Sequence, residues 1–282
     1  MAGPSRERFV RGGAAVIAAG CLPRRAVASN SYAQTVLAKG PVAYWRLSDR
    51  SATSAVDATG HGHAGTYHGA PAFVTPGAIS GDSDGAVRLN GQPEFVEIAS
   101  SAAFSQPTSG RGLTVEAWMR PDALTFAGQT GQKYVHWLGK GETQAFEWGF
   151  RFYSGDSPSR PNRISAYIWN ASGGEGAGAY FQDTLTAGTW IHVVACYDPG
   201  DASNPAAGVS IYRDGTLRGS PRSTRGARYA SYQIAATPGA APVRLGTRDL
   251  GSFLTGALDE VAIYPRVLTA TEVAENHSAA EG

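Results

Sequence analysis

The chain has 282 residues, of which 42% are hydrophobic and 17% charged, and its net charge is +1. A chain of this length can bury roughly three quarters of the surface that its unfolded form exposes, so its core does not depend on disulfide staples. Arg6, Arg8, Arg11, Arg24 and Arg25 stand against Glu7 alone in residues 1–28; the body that follows is slightly acidic and has no basic run, which argues against a nucleic-acid partner.

The first element in chain order is a leader. An arginine-rich stretch, Arg6 to Arg11, precedes an apolar run from Gly12 to Leu22. That run is too short to span a bilayer and reads as the hydrophobic region of a signal peptide over residues 1–28. Ala26-Val27-Ala28 fits a small-x-small cleavage site before Ser29. Ser5 to Arg11 resembles a twin-arginine motif with its pair split by Glu7, and Arg24 and Arg25 after the apolar run favour the same route. The expected location is secreted. The alternative is lipid anchoring through Cys21, because Ala18-Ala19-Gly20-Cys21 resembles a lipobox. No other stretch has 18 consecutive apolar residues, so no transmembrane segment is expected.

The body, residues 29–282, has no linker, repeat or charge block and is read as one domain. Its 36 glycines and 16 prolines are dispersed between short apolar runs, which is the punctuation of a turn-rich β-protein. Ala43 to Leu47 is a short aromatic run. Ala86–Leu89 and Phe95–Ile98 flank Asn90-Gly91, a dipeptide suited to a tight hairpin. Leu113 to Arg120 alternates in polarity and is closed by Pro121. From 146 to 153, Phe146, Trp148, Phe150 and Phe152 fall on one face, with Glu147, Gly149, Arg151 and Tyr153 opposite. Arg163 to Trp169 alternates again. Trp190 to Tyr197 is nearly all apolar, as expected of a strand covered on both faces. Asp214-Gly215 marks a second hairpin, and Val243–Leu245 and Leu258–Tyr264 complete the strands. The single helix signal is Thr269-x-x-Glu272, a capping box near the C-terminus. Cys196 lies in a predicted strand, reads as a small buried hydrophobe, and is not expected to pair with Cys21.

The order of several strings resembles the concanavalin A-like lectin/glucanase superfamily in its laminin-G-like branch. The carrying segments are Val42–Leu47, Asp57–Tyr67, Leu113–Pro121, Trp190–Ala195, Ile211–Gly215 and Gly256–Tyr264. The resemblance implies an all-β, two-sheet antiparallel jelly-roll sandwich with a short C-terminal helix and six or seven strands per sheet, one concave and one convex. It also implies proteins that bind glycans, proteins or calcium. Fold does not fix function, so the sites must be argued residue by residue.

Glycoside hydrolysis needs two carboxyl groups flanking the scissile bond. The glucanase branch carries them as Glu-x-Asp-x-x-Glu, a string absent here. Asp259 and Glu260 are adjacent and would point to opposite faces of a regular strand. Glu116 stands alone on its strand and reads as structural. His61-x-His63 with His68 suggests zinc only weakly, since the segment is Gly-rich and lacks cysteine. Calcium is the expected cofactor. Related jelly rolls use an acidic residue of the last strand, which is Asp259 here, and Asp49 at the end of the first strand is its expected partner.

A sugar stacks its C–H face on an aromatic ring while planar polar groups bind its hydroxyls. Trp137, Glu147, Arg151, Tyr153, Tyr167 and Trp169 are the expected ligand-binding residues, with His136 and Asn170 nearby. Tyr167 and Trp169 share one strand face; Glu147, Arg151 and Tyr153 share another. The loops over residues 125–133, 154–162 and 171–178 are long and flank them. The expected function is a secreted, non-catalytic module binding a polysaccharide or glycoconjugate on the concave sheet or its rim. The alternatives are a glycoside hydrolase or polysaccharide lyase with a non-standard acid pair, and a protein-binding or cell-wall structural module.

Overall fold

The computed structural model describes residues 1, 3, 31–49, 53–105, 112–128, 132–142, 145–169, 176–199, 208–219, 228–229 and 239–282. The expected leader, Cys21 and Asn170 lie outside the described residues. In chain order the elements are α1 (Ser31–Ala38), β1 (Ala43–Trp45), β2 (Ser54–Ala55), β3 (Gly65–His68), β4 (Ala72–Val74), β5 (Ala86–Asn90) and β6 (Phe95–Ile98). They continue with β7 (Leu113–Pro121), β8 (Tyr134–Glu142), β9 (Ala145–Tyr153), β10 (Ile164–Trp169), β11 (Gly176–Phe181), β12 (Ile191–Asp198) and β13 (Gly208–Arg213). The last are β14 (Thr216–Gly219), β15 (Arg228–Tyr229), β16 (Val243–Leu245), β17 (Thr255–Tyr264) and α2 (Ala270–Ala280).

The strands form two antiparallel sheets. One has eight strands in the order β14-β13-β12-β7-β17-β5-β4, with β1 also paired to β17; the other has nine, in the order β15-β11-β10-β9-β8-β16-β6-β3-β2. Between them lies the main core. Trp45, Val115, Met119, Val193, Ile211 and Ile263 from the first sheet meet Trp148, Phe150, Phe152, Ile164 and Val243 from the second. The sheets exceed the expected six or seven strands because short edge segments such as β2, β4 and β15 extend them.

The outer face of the eight-stranded sheet is covered too. Tyr32 and Val36 of α1 and Val273 and Ala280 of α2 pack with Tyr44, Trp118, Val194, Cys196, Tyr212 and Tyr264. This explains the nearly all-apolar β12, whose residues are buried alternately by the core and by the helices. The capping box starts α2: Thr269 Oγ1 accepts from the Glu272 backbone amide at 3.2 Å, and Glu272 accepts from the Thr269 amide at 2.8 Å. Helix α1 has no N-capping signal among its described residues. Its pointer in sequence is the i, i+4 pair Tyr32 and Val36, followed by Gly40 at φ 70° and Pro41.

Two turn signals have different outcomes. Asp214-Gly215 joins β13 to β14 as a hairpin, with positive φ at both residues. Asn90-Gly91 turns the chain between sheets, because β5 pairs with β17 whereas β6 pairs with β16 and β3. Glu94 folds back to accept from the Asn90 amide at 2.9 Å and its side chain at 2.8 Å. The dipeptide supplies the turn, but the partners of each strand are chosen by packing.

Candidate functional site

The outer face of the nine-stranded sheet carries a cluster of rings and arginines. Arg151 on β9 has its guanidinium carbon 4.5 Å from the Tyr134 ring centre, 4.5 Å from Tyr167 and 5.5 Å from Trp169. Tyr167 and Trp169 are stacked, 5.4 Å apart and 16° from parallel. Tyr153 bonds Tyr167 through their hydroxyls at 3.2 Å and accepts from Arg160 at 2.9 Å. Tyr134, Phe146, Arg151 and Trp169 remain partly exposed, while Tyr153 and Tyr167 are buried beside them. The expectation that Arg151 and Tyr153 share a face, and that Tyr167 and Trp169 do, describes this cluster.

The other two expected residues lie elsewhere, and in both cases a β-bulge is the reason. The β8–β9 register shifts between His136 and Leu138. The extra residue is Trp137, which turns inward with Leu138 and packs on Phe150 with no exposed surface. A second shift falls between Lys140 and Gly141. There Glu147 is the extra residue; it is fully buried and accepts from Lys140 Nζ at 2.6 Å. The same bulge moves Phe146 out of the apolar row and onto the outer face, where it meets Trp169. Strict alternation placed Phe146 and Glu147 on the wrong faces.

Sequence reading missed Arg248 and Asp249, which reach the face from the loop after β16. Gly139 and Gly149 are directly opposed across β8 and β9. A Cβ on Gly139 would come within 2.8 Å of Arg248 Cγ, and one on Gly149 within 3.1 Å of Arg248 Cδ. The two glycines thus make a lane in which the Arg248 stem lies flat on the sheet. Its guanidinium sits 4.5 Å from the Phe146 ring and 4.8 Å from Trp169. Nη2 donates to Asp249 at 2.6 Å, while Nε and Nη1 are buried without a partner. The available pointer was the pair of isolated strand glycines, which mark close approach by another group.

His136 completes the cluster. Its Nε2 accepts from Arg151 Nε at 3.0 Å, which leaves the ring proton on Nδ1, 3.6 Å from Asp249. Burial, reinforced by the two arginines, lowers its pKa to about 4, so the ring is neutral near pH 7. The described carboxylates at this face are engaged by arginines: Asp249 by Arg248, and Glu97 and Glu142 by Arg244 at 2.8 and 2.7 Å.

A second cluster lies on the eight-stranded sheet. A bulge in β17 between Asp259 and Ala262, with Glu260 at φ 50°, brings both carboxylates to one region instead of opposite faces. Glu260, Asp82 and Asp84 have oxygens within 4.8 Å of one another. Arg46 fills that space, at 2.6 Å from Asp82 and Asp84 and 3.1 Å from Glu260. Asp259 is buried and, among the described residues, bonds only the Ala78 amide at 2.7 Å through Oδ2 and leaves Oδ1 without a partner. Gly77 packs against Asp259 Oδ2 where a Cβ would collide. Burial raises its pKa well above the carboxylate range, with Glu260 and Asp84 adding to the effect. Arg46 thus holds the place a cation would take among the three acids, and Asp259 Oδ1 remains the unsatisfied oxygen of the cluster. Asp49 is engaged otherwise: it accepts from Tyr67 Oη at 2.9 Å and from the Val56 amide at 3.3 Å.

The remaining candidates are dispersed. His61 faces the Val42 carbonyl, His63 the Phe104 ring and His68 the Phe95 ring, so the three do not converge. Cys196 is buried, and burial pushes its thiol up to about 11. Glu116 lies beneath the helices and accepts from Tyr32, His192, Tyr264 and Asn276, which uses both oxygens structurally.

A laminin-G-like family model of the concanavalin A-like lectin/glucanases superfamily matches residues 90–274, and the chain belongs to that superfamily. No curated protein sequence matches the chain. Among solved structures it is similar to domain 4 of AbnA, an extracellular arabinanase of family GH43 from Geobacillus stearothermophilus, in complex with arabinotriose. That match has 18% identity and a TM-score of 0.56 and covers 84% of this chain and 98% of the other. The chain is also similar to the ligand-binding domain of botulinum neurotoxin serotype D in complex with N-acetylneuraminic acid, with 11% identity, a TM-score of 0.60, and 88% and 52% coverage. A third is the binding domain of Paraclostridial Mosquitocidal Protein 1, with 14% identity, a TM-score of 0.56, and 84% and 51% coverage. The chain spans about half the length of these last two binding domains. At these identities the likeness is one of fold. Among the described residues, no helix is long and apolar enough to cross a membrane.

Proposed function

We infer that the protein is an exported, non-catalytic module that binds carbohydrate on the outer face of its nine-stranded sheet. The observation that carries this reading is the array of Tyr134, Arg151 and Trp169, partly exposed and held by buried Tyr167 and His136. A rigid aromatic surface beside fixed donors suits a sugar ring with its hydroxyls. The arginine engagement of Asp249, Glu97 and Glu142 speaks against a free acid pair for hydrolysis. Arabinotriose on the arabinanase domain, of similar fold, is consistent with the reading. Binding to a polysaccharide panel tests it, with Trp169→Ala expected to weaken affinity by about 1–3 kcal/mol, as for loss of a stacked ring. Unchanged binding by a folded Trp169→Ala variant would place the ligand elsewhere. Export rests on the leader composition; recovery outside the cell of a chain beginning at Ser29 would check it.

A structural calcium ion is part of the same proposal. Asp259 would supply a carboxylate oxygen, with Asp84 close by. Melting curves in EDTA and in added calcium test this, and identical curves would overturn it.

A further inference from the structure

The charge arrangement on the aromatic face carries the proposed carbohydrate reading one step further. Among the described residues, Arg151 has no carboxylate partner. It bonds His136 and Tyr153 and lies against the rings of Tyr134, Tyr167 and Trp169. His136 is neutral and brings no negative charge. Arg248 shares a single carboxylate, Asp249, and keeps Nε and Nη1 buried and unpartnered. Both guanidinium groups flank one indole, that of Trp169. The nearby Glu97 and Glu142 are turned to Arg244. Two guanidinium groups are thus held on one partly exposed indole with one carboxylate between them.

That arrangement is costly to build. A buried donor without an acceptor is destabilising, and more so when charged. The sequence nonetheless places glycines at 139 and 149 so that the Arg248 stem can lie there. A neutral sugar offers only hydroxyls to these donors. A planar carboxylate matches the guanidinium fork, and charge-assisted bonds are roughly twice as strong as neutral ones.

We propose that the glycan bound on this face carries carboxylate groups, which engage Arg151 beside the buried charge of Arg248 while a sugar ring stacks on Trp169. The proposal rests on the carbohydrate reading of the same face. The carboxylate could belong to a uronate within a polymer or to a terminal sialate, and the face's chemistry is the same for both.

The test uses the full chain and a set of matched ligands in titration calorimetry. Polygalacturonate and sialyllactose represent the two carboxylate sources; fully methyl-esterified polygalacturonate, neutral galactan and dextran sulfate are the comparisons. Tighter binding to polygalacturonate or to sialyllactose identifies the source. When that source is a uronate, methyl esterification is expected to weaken it by about tenfold or more, the scale of a lost charge-assisted bond. When it is a sialate, neutral lactose is expected to bind weaker by the same margin. Arg151→Gln should abolish the preference, while its melting curve and far-ultraviolet spectrum report folding. Equal affinity for acidic and neutral forms would overturn the proposal and leave the carbohydrate reading standing. Equal affinity for dextran sulfate would reduce it to general attraction of polyanions and overturn it. No binding to any glycan by folded protein would overturn both.

Discussion

Gly139 and Gly149 face each other across β8 and β9, and the stem of Arg248 lies over both. The pair acts as a seat for a charged side chain from a distant loop. The two glycines differ in what else a methyl group would meet. On Gly149 the other near atoms are the Leu138 carbonyl at 3.3 Å and Trp169 at 3.6 Å; on Gly139 the Trp148 carbonyl is at 2.8 Å. Gly149→Ala should therefore keep the fold, lift Arg248 and weaken glycan binding. Gly139→Ala should cost about 1–3 kcal/mol of stability through backbone displacement. Melting curves and glycan titrations of the two variants check this contrast.

Asp259 and Glu260 are both raised by burial, Glu260 to about 7. A carboxyl whose folded pKa is raised destabilises the fold on ionising. Its contribution is fully present below its ordinary pKa of 4.5 and is lost as pH climbs toward about 7. Asp259→Asn keeps an acceptor for the Ala78 amide and removes one of these ionisations. In EDTA near neutral pH it should melt higher than the parent, by about 2–4 °C for each kcal/mol gained. It should also lose any stabilisation by calcium. Thermal melts across pH, with EDTA and with calcium, measure both effects.

His136 works in the opposite direction. Its folded pKa of about 4 lies below the ordinary 6.5. The neutral ring therefore stabilises the fold above 6.5, and that contribution is lost as pH falls from 6.5 toward about 4. Stability should fall across this range as the unfolded ring takes up its proton, whereas the folded ring protonates only near pH 4, where it loses the bond from Arg151 Nε and glycan affinity should change. In His136→Gln, whose carbonyl can still accept from Arg151, the acid-side decline should flatten. Melting and binding measured at stepped pH follow the difference.

Glu116 accepts four hydrogen bonds beneath the helices. Glu116→Ala leaves Tyr32, His192, Tyr264 and Asn276 without their common acceptor. It should cost about 3–5 kcal/mol, the scale for removing one partner of a buried charged network. Glu116→Gln retains one acceptor oxygen and should cost less. Chemical denaturation of both variants ranks them, and unchanged glycan binding by folded Glu116→Gln would mark the network as structural.

The sandwich class, the covered central strand β12, the Asp214-Gly215 hairpin and the capped C-terminal helix were already legible in the amino-acid sequence. These depend on local chemistry: alternation, turn residues that accept positive φ, and a side chain that can cap an amide. The sequence also brought out Arg151, Tyr153, Tyr167 and Trp169, because β10 and this part of β9 run without bulges. Only the tertiary structure decided the faces of Trp137, Phe146 and Glu147, since one inserted residue reverses every side chain beyond it. The same holds for Asp259 and Glu260, which a bulge brings together. Arg248 was invisible to periodicity, because a loop delivers it and two opposed glycines receive it. The pairing of Asn90-Gly91 with two different sheets likewise required the packed structure. Gly139 and Gly149 become a seat only once β8, β9 and the loop after β16 are brought side by side.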